Sequence, residues 1–216
     1  MALPPPTIVI FDMDGTTVRH LNPLVLHILE KCDDIGFRLS KIIDWLFRRK
    51  AQGPIVSQKE EEEYRKWRKP RLYGHRLLHK VRRKEVEEMV EPCPGIYQVL
   101  NFLKDKNIPM ALASNGLGKG YGHDIVHRFG LEDYFQTTIF REDVRKSKPN
   151  PEGLIKALGE MDVALKPDDI VWHIGDRHKD VKATLAAEDS LPCKTVPIAY
   201  GVSAVSYTHL TLPTKA

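Results

Sequence analysis

Three apolar runs, each about as long as a β-strand, are followed directly by polar residues. The runs are TIVIF at 7–11, IPMALA at 108–113 and IVWHIG at 170–175. Short continuous runs of this kind are typical of parallel strands that are covered on both faces. The carboxyl ends of parallel strands meet at one edge of an open sheet, where a crevice forms. The pattern therefore predicts an α/β sheet with polar side chains gathered at one edge.

The polar residues predicted at this edge comprise two acidic pairs, a hydroxyl with a neighbouring amide, and a lysine. They are Asp12 and Asp14, Asp176 and Asp180, Ser114 and Asn115, and Lys148, with Lys146 as an alternative lysine. Taken singly, each has a plain structural explanation, because Asp is common in glycine turns, Ser and Asp cap helices, and loop lysines are usually solvated. An EF-hand calcium loop does not fit at Asp12, because its third acidic position and late glutamate are absent.

Beyond residue 95, helical patterns alternate with strand-length runs. The predicted helices are 96–106, 120–129, 151–161 and 178–187, and the predicted strands are 108–113, 137–140, 170–174 and 194–200. Such alternation implies a parallel sheet with right-handed crossovers. The expected fold class is α/β, with a doubly wound parallel-sheet core. Pro197 predicts that the last run is an edge strand or a strand end.

A helical block interrupts this alternation between residues 20 and 91. Asn22 before Pro23 and Ser57 before Glu60 predict helix starts, a further helix is expected from about Tyr73 to Val90, and the PCPG run at 92–95 ends the block. We therefore expect an all-helical cap at 20–91, inserted into a core formed by 1–19 and 92–201. Residues 202–216 do not continue the alternation and resemble translated sequencing-adapter read-through, so we expect a non-native tail.

The bulk composition excludes several classes of protein. Three widely spaced cysteines form neither a disulfide framework nor a zinc ribbon. The chain start lacks the pattern of a signal peptide, and no run approaches the ~20 apolar residues of a membrane span. We therefore expect a cytoplasmic protein with no membrane segment. A net charge of +4 mildly favours anionic partners.

The four motifs, in their order along the chain, resemble those of the haloacid dehalogenase superfamily of phosphohydrolases. The family pattern of DxDGT, a strand-end Ser or Thr, Lys and GDxxxD is matched by FDMDGT, ASNG, KPNPE and GDRHKD, over about residues 7–201. The KP step in the third motif favours Lys148 over Lys146. The resemblance is to the phosphatase branch with a helical C1-type cap, which includes phosphoglycolate phosphatases. It implies the α/β core and the inserted cap described above.

The resemblance also implies a role for each motif residue. Asp12 would be the nucleophile and Asp14 the general acid and base, while Ser114, Asn115 and Lys148 would hold the phosphate. The expected cofactor is Mg²⁺, bound by Asp12, Asp176 and the backbone carbonyl of Asp14, with Asp180 supporting the metal ligands. A carboxylate at position 14 argues against carbon–halogen cleavage, since the dehalogenase branch has none there.

These roles imply a Mg²⁺-dependent hydrolase that acts on a small phosphorylated metabolite through an aspartyl-phosphate. A phosphomutase of the same superfamily would carry the same motifs. A nucleic-acid-binding protein is a third hypothesis, because the segment YRKWRKPRLYGHRLLHKVRRK of the predicted cap is rich in Lys and Arg. We expect that segment to be a solvated helix face balanced by neighbouring glutamates, and we do not expect a nucleic-acid partner.

Overall fold

The computed structural model describes residues 3–21 and 86–200 of the protein. Within these ranges, five parallel strands form one sheet and two further strands form a small antiparallel sheet. In chain order they are β1 (Ile8–Phe11), β2 (Val18–His20), β3 (Val90–Pro92), β4 (Met110–Ala113), β5 (Thr137–Ile139), β6 (Ile170–Gly175) and β7 (Lys194–Ala199). The large sheet has the order β5-β4-β1-β6-β7. The three runs that precede polar residues are therefore adjacent strands at its centre.

The α-helices of the described ranges lie where the sequence predicts them. They are α1 (Ile96–Asp105), α2 (His123–Arg128), α3 (Glu152–Glu160) and α4 (His178–Glu188). The largest difference is at α2, which was expected to begin near Gly120. A π-helical turn at Gly118–Gly122 precedes α2, and Gly120 in it has a φ of 74°. Glycine readily adopts this left-handed conformation, which interrupts a regular helix.

Helices cover both faces of the large sheet. Val9 and Phe11 of β1 face a core cluster that includes residues of α1 and α2, whereas Ile8 and Ile10 face a second cluster that includes residues of α3 and α4. All four β1 side chains are at most 1% exposed. Because successive side chains of a strand point to opposite faces, burial of all four requires cover on both sides. The predicted doubly wound α/β fold is confirmed, and among the described strands β7, which contains Pro197, lies at an edge of the sheet.

The segment between β1 and α1 differs in part from the prediction. A helix was expected up to about Val90, but Val86–Glu88 form a 3₁₀ turn and Val90 lies in β3, which pairs with β2. Val18 and Val90 are both fully buried, and an ion pair of 2.6 Å joins Arg19 to Glu91 across the two strands. Burial of β-branched residues and cross-strand charge pairing favour a strand pair over a helix end here.

Several predictions fall outside the described residues. These are the helices expected to begin near Asn22, Ser57 and Tyr73, the basic segment, and the tail at 202–216. The boundaries proposed for the core and the cap remain predictions. No helix within 3–21 and 86–200 is both long and apolar enough to cross a membrane.

Candidate active site

The turn after β1 holds two of the expected site residues, Asp12 and Asp14. The hydroxyl of Thr17 donates a hydrogen bond of 2.7 Å to the Asp12 carbonyl, and the amides of Thr17 and Val18 donate to the Met13 carbonyl. Gly15 has a φ of 88°, a conformation that side chains rarely adopt. These bonds fold the DxDG motif into a compact turn at the carboxyl edge of the sheet.

Gly15 is also required for space. A Cβ atom at this position would lie 2.2 Å from Oδ2 of Asp176, which follows β6. The turn after β1 and the turn after β6 therefore touch through the backbone of Gly15. Only glycine lets the carboxylate of Asp176 come this close to the first motif.

Lys148 lies at the centre of the candidate site. Its Nζ is 2.6 Å from Oδ1 of Asp12 and 2.6 Å from Oδ1 of Asp180, and it donates a hydrogen bond of 2.9 Å to the Ala113 carbonyl. The side chain is only 3% exposed. The lysine thus connects the first, third and fourth motifs, and it reaches the last residue of β4.

Asn115 fixes the backbone of Lys148. Its side-chain amide donates to the Lys148 carbonyl at 3.0 Å, and its Oδ1 accepts the Lys148 amide at 2.9 Å. Lys146, the alternative lysine, lies outside the cluster, where its amide donates to Glu152. The structure therefore brings Lys148 into the site, and Asn115 holds the backbone of Lys148 in place. Contact of Asn115 with a substrate remains a prediction.

The two aspartates of the fourth motif lie at the start of α4. Asp180 Oδ2 accepts the backbone amide of Arg177 at 3.0 Å, which caps the helix and aims Oδ1 at Lys148. Asp176 is 2% exposed and Asp180 is also 2% exposed. A Cβ at Gly175 would lie 2.6 Å from Cγ of Asp180, so glycine is again needed for close packing.

Asp12, Asp176 and Asp180 form a buried acidic triad. One carboxylate oxygen from each lies within 4.8 Å of the others. Three carboxylates and the ammonium of Lys148 would carry a net charge of −2 if all were ionised, which a divalent cation would neutralise. Oxygen ligands of this type suit hard divalent cations. The residues present therefore fit a divalent cation.

The charges of the cluster shift the pKa values of its members. Burial raises the pKa of Asp12 to about 7, although Lys148 opposes the shift. Burial would also raise the pKa of Asp180, but the charge of Lys148 brings it down to about 2. Burial disfavours the charged form of Lys148, yet Asp12 and Asp180 keep its pKa above the usual value. One carboxylate is therefore firmly paired with the lysine, and Asp12 is the more weakly compensated of the two.

Asp14 makes a different set of contacts. Its Oδ1 accepts the hydroxyl of Tyr121 at 2.8 Å and lies 3.1 Å from Nε2 of His20. Burial works to raise the pKa of Asp14, but these two partners and the charge of His20 lower it below its usual range. Neither partner was predicted from the sequence, because they belong to none of the four motifs and lie 101 residues apart.

Ser114 borders the same space as Asp14. Its Oγ accepts the amide of Gly116 at 2.9 Å, and its own amide donates to the Ile139 carbonyl. A Cβ at Gly116 would lie 3.2 Å from Oγ of Ser114 and 3.2 Å from Oδ2 of Asp14. The hydroxyl of the second motif and the second acid of the first motif therefore approach each other across a glycine.

A buried histidine behind the site was also missed. Nδ1 of His173 is 2.7 Å from Oγ1 of Thr184, and that hydroxyl donates to the Asp180 carbonyl at 2.8 Å. Since the threonine hydrogen is already used, His173 must donate through Nδ1. Burial and the nearby charge of Lys148 lower the pKa of His173 to about 3, so the ring is neutral. Through Thr184, His173 connects β6 to the first turn of α4.

Comparison with known proteins identifies the family of the chain. A family model for haloacid dehalogenase-like hydrolases matches residues 6–188, a span that contains all four motifs. The chain belongs to the haloacid dehalogenase-like hydrolases. The resemblance stated from the motifs is thereby confirmed, and so is the expectation that the protein is an enzyme.

Two curated relatives of this hydrolase span most of its length. Pyrophosphatase PpaX of Listeria welshimeri is 24% identical over 188 residues, which are 84% of this chain and 80% of that protein. Phosphoglycolate phosphatase of Nitrosococcus oceani is 23% identical over 207 residues, covering 91% of this chain and 87% of the relative. One relative is thus named as a pyrophosphatase and the other as a phosphatase.

Among solved structures, a HAD-superfamily hydrolase from Ehrlichia chaffeensis is similar to this hydrolase. The TM-score is 0.56 at 22% sequence identity, and the match covers 93% of this chain and 90% of the other. At this identity the likeness shows the fold, and it agrees with the doubly wound sheet described above.

Proposed function

We propose that this hydrolase cleaves phosphate monoesters of small metabolites, with Asp12 as the nucleophile and Mg²⁺ as the cofactor. The observation that carries the proposal is the buried contact of Lys148 with both Asp12 and Asp180, beside Asp14, Asp176 and Ser114. The Lys148 cation, the two other carboxylates of the acidic triad and the separate acid Asp14 then surround the nucleophilic carboxylate of Asp12. The name of the phosphoglycolate phosphatase relative supports cleavage of a phosphate monoester, and that of the pyrophosphatase relative supports phosphoryl hydrolysis more broadly.

In the first half of the reaction, a carboxylate oxygen of Asp12 attacks phosphorus. A bond forms between this oxygen and phosphorus, and the bond from phosphorus to the leaving oxygen breaks. Asp14 gives a proton to the leaving oxygen, so that an alcohol departs and Asp12 carries the phosphoryl group. The lowered pKa of Asp14 means that it is ionised in the free protein. Approach of the anionic ester would raise this pKa and favour uptake of the proton.

In the second half, water attacks phosphorus of the aspartyl-phosphate. Asp14, now ionised, accepts a proton from this water, and the bond between Asp12 and phosphorus breaks to release inorganic phosphate. The same residue thus acts first as an acid and then as a base. Lys148 remains beside Asp12 in both halves, where its charge offsets the negative charge of the transferred group. Ser114 and the backbone amides that follow it would hold the phosphate oxygens.

Asp12, Asp176 and the backbone carbonyl of Asp14 would hold Mg²⁺, and Asp180 would support this set. When bound, the ion would neutralise charge between the nucleophile and the phosphate. The triad and its distances supply the oxygen ligands that such an ion needs. Mg²⁺ is the ion that we propose, although carboxylates of this kind accept several divalent cations.

The test is hydrolysis of a chromogenic aryl phosphate by the purified protein with and without Mg²⁺. We expect Asp12→Asn to abolish turnover, because an amide is a poor nucleophile, and EDTA to silence the wild type until Mg²⁺ is added. Asp124→Asn, on the exposed side of α2, is the matched control and should retain activity. Undiminished activity of Asp12→Asn would refute the assignment of Asp12 as the nucleophile. Activity of the wild type in EDTA would refute the requirement for a metal.

Two further assays, product analysis with sugar phosphates and nucleic-acid binding at several salt concentrations, separate the other two hypotheses. A phosphomutase would convert a sugar phosphate to an isomer without releasing phosphate. A nucleic-acid-binding protein would bind DNA or RNA with steep salt dependence and would show no turnover.

A further inference from the structure

Three side chains form a closed group around one oxygen of Asp14. The Tyr121 oxygen lies 2.8 Å from Oδ1 of Asp14 and 2.6 Å from Nε2 of His20, and Nε2 is 3.1 Å from the same Oδ1. The rings of His20 and Tyr121 stack with centroids 5.9 Å apart and an angle of 12°. The side chain of His20 is 12% exposed and Tyr121 is 4% exposed, so the group is largely shielded from water.

The number of hydrogens available in the group determines which atom donates each hydrogen bond. A tyrosine hydroxyl has one hydrogen, and here it is donated to Asp14. The Tyr121 oxygen then acts only as an acceptor towards His20, so Nε2 of His20 carries a hydrogen that it shares between this oxygen and Asp14. Oδ1 of Asp14 therefore receives two donors, and the carboxylate cannot rotate without breaking both.

The other oxygen of Asp14 points away from this group. Oδ2 lies on the Ser114 side, next to the space that a Cβ of Gly116 would fill. The two oxygens of one carboxylate are thus distinguished by their surroundings. Oδ1 is tied to two aromatic rings, and Oδ2 borders the place where the phosphate is proposed to lie.

Both donors belong to segments that are tied down by hydrogen bonds of their own. His20 ends β2 and pairs with Val90 of β3, and Tyr121 belongs to the turn at Gly118–Gly122. Glu142 binds that turn, because its carboxylate accepts the amides of Gly118 and Lys119 at 2.8–3.0 Å. The donors are therefore held in place before any substrate arrives.

We propose that His20 and Tyr121 are the positioning residues of Asp14, which hold Oδ1 so that Oδ2 is the oxygen that meets the leaving group. The inference rests on the proposed phosphatase function and adds two residues to it. Neither side chain touches the reacting atoms. Their effect is on the geometry of proton transfer at Oδ2, and this effect should depend on how much help the leaving group needs.

The test compares two esters by kcat/KM, which reports the steps up to departure of the first product. The nitrophenolate of p-nitrophenyl phosphate departs without a proton, whereas the alkoxide of glycerol 2-phosphate must be protonated. General acid catalysis contributes about 10²- to 10⁴-fold in rate. Because Tyr121→Phe and His20→Ala misplace the acid without removing it, we expect kcat/KM for the alkyl ester to fall about tenfold or more. The aryl ester should be affected much less.

Two further variants complete the design. His20→Gln retains an N–H donor on a side chain of similar length, so it should recover part of the loss seen with His20→Ala. Tyr97→Phe is the matched control, because it removes a tyrosine hydroxyl that donates to the Phe129 carbonyl at 2.8 Å, outside the site. Tyr97→Phe should change kcat/KM for neither ester. Thermal melting should show that all four variants are folded.

The outcomes separate this inference from the proposed function. A larger loss for the alkyl ester, with recovery in His20→Gln, supports it. Equal losses for both esters, or no loss for either, would overturn the positioning role and leave the phosphatase intact. A wild-type protein that hydrolyses neither ester would overturn the proposed function and this inference with it.

Discussion

Replacement of Lys148 by Met removes the positive charge from the centre of the buried carboxylate cluster. Methionine has a similar length and fills a similar volume, so the packing around β1 and β4 should be retained. The two contacts of 2.6 Å with Asp12 and Asp180 are lost, together with the hydrogen bond to the Ala113 carbonyl. The variant therefore measures the electrostatic contribution of one ammonium group to the fold.

The expected loss is large. Removal of one partner of a buried ion pair costs about 3–5 kcal/mol, because the other charge is left without compensation. Two carboxylates are affected here, but the losses do not add, since the cluster can take up a proton when the lysine is gone. We therefore expect the free energy of unfolding to fall by about 3–5 kcal/mol at pH 7 without metal. That is a substantial part of the roughly 5–15 kcal/mol of an ordinary domain.

The assay is urea denaturation in EDTA, followed by circular dichroism. Lys156→Met is the matched control, because Lys156 lies on α3 with its side chain 35% exposed, 3.5 Å from Glu160. Exposed pairs contribute about 0–1 kcal/mol, so this variant should be close to the wild type. In the double variant with Asp180→Asn, one unpaired charge is removed, and part of the stability should return.

A Lys148→Met protein that loses no more stability than Lys156→Met would refute the buried cluster. Loss of activity alone would not distinguish the two explanations, since the lysine is also proposed to act on the phosphate. The unfolding measurement addresses the structure independently of the reaction.

Two further predictions concern turns around the site. Gly15→Ala and Gly130→Ala both place alanine at positive φ, at 88° and 59°, which costs about 1–2 kcal/mol. Only at Gly15 does the new Cβ meet a carboxylate, so the melting temperature should fall further in Gly15→Ala and its activity should be lost. Equal melting temperatures of the two variants would contradict the close contact of Gly15 with Asp176. Glu142→Gln should weaken the turn at Gly118. Burial alone would raise the pKa of Glu142, but the bound amides lower it from 4.5. The carboxylate therefore stabilises the fold above pH 4.5, and this contribution is lost as the pH falls through the lowered pKa. Urea midpoints of wild type and variant should differ most near pH 7 and converge in acid, and a difference independent of pH would exclude the charge as its cause.

The positions of the motif residues could be predicted because strand ends fix them. Asp12, Ser114 and Asp176 each follow a buried strand, so the topology of a parallel sheet is enough to bring them to one edge. The helices α1, α3 and α4 were also predicted to within two residues at each end, since their apolar periodicity and flanking turn residues are strong.

The remaining features depend on contacts that have no local pattern. His20 and Tyr121 meet only because β2 and the turn before α2 pack together, and neither residue lies in a motif. The strands β2 and β3 have three residues each, too few to show periodicity, and their pairing joins segments 72 residues apart. The sequence suggested a phosphate-binding role for Lys148, but its simultaneous contact with Asp12 and Asp180 required coordinates.

The pairing of β2 with β3 has a consequence for how proteins of this kind can diversify. Residues 22–85 lie between β2 and β3 in the sequence, and the backbone amide of Leu21 donates a hydrogen bond to the Met89 carbonyl beside this strand pair. The end of β2 and the segment that enters β3 therefore lie side by side. A segment of almost any length can be exchanged between such neighbouring ends while the order of the five sheet strands is preserved. Residues 22–85 can therefore be exchanged, by evolution or by a protein engineer, while the residues of the candidate site are retained.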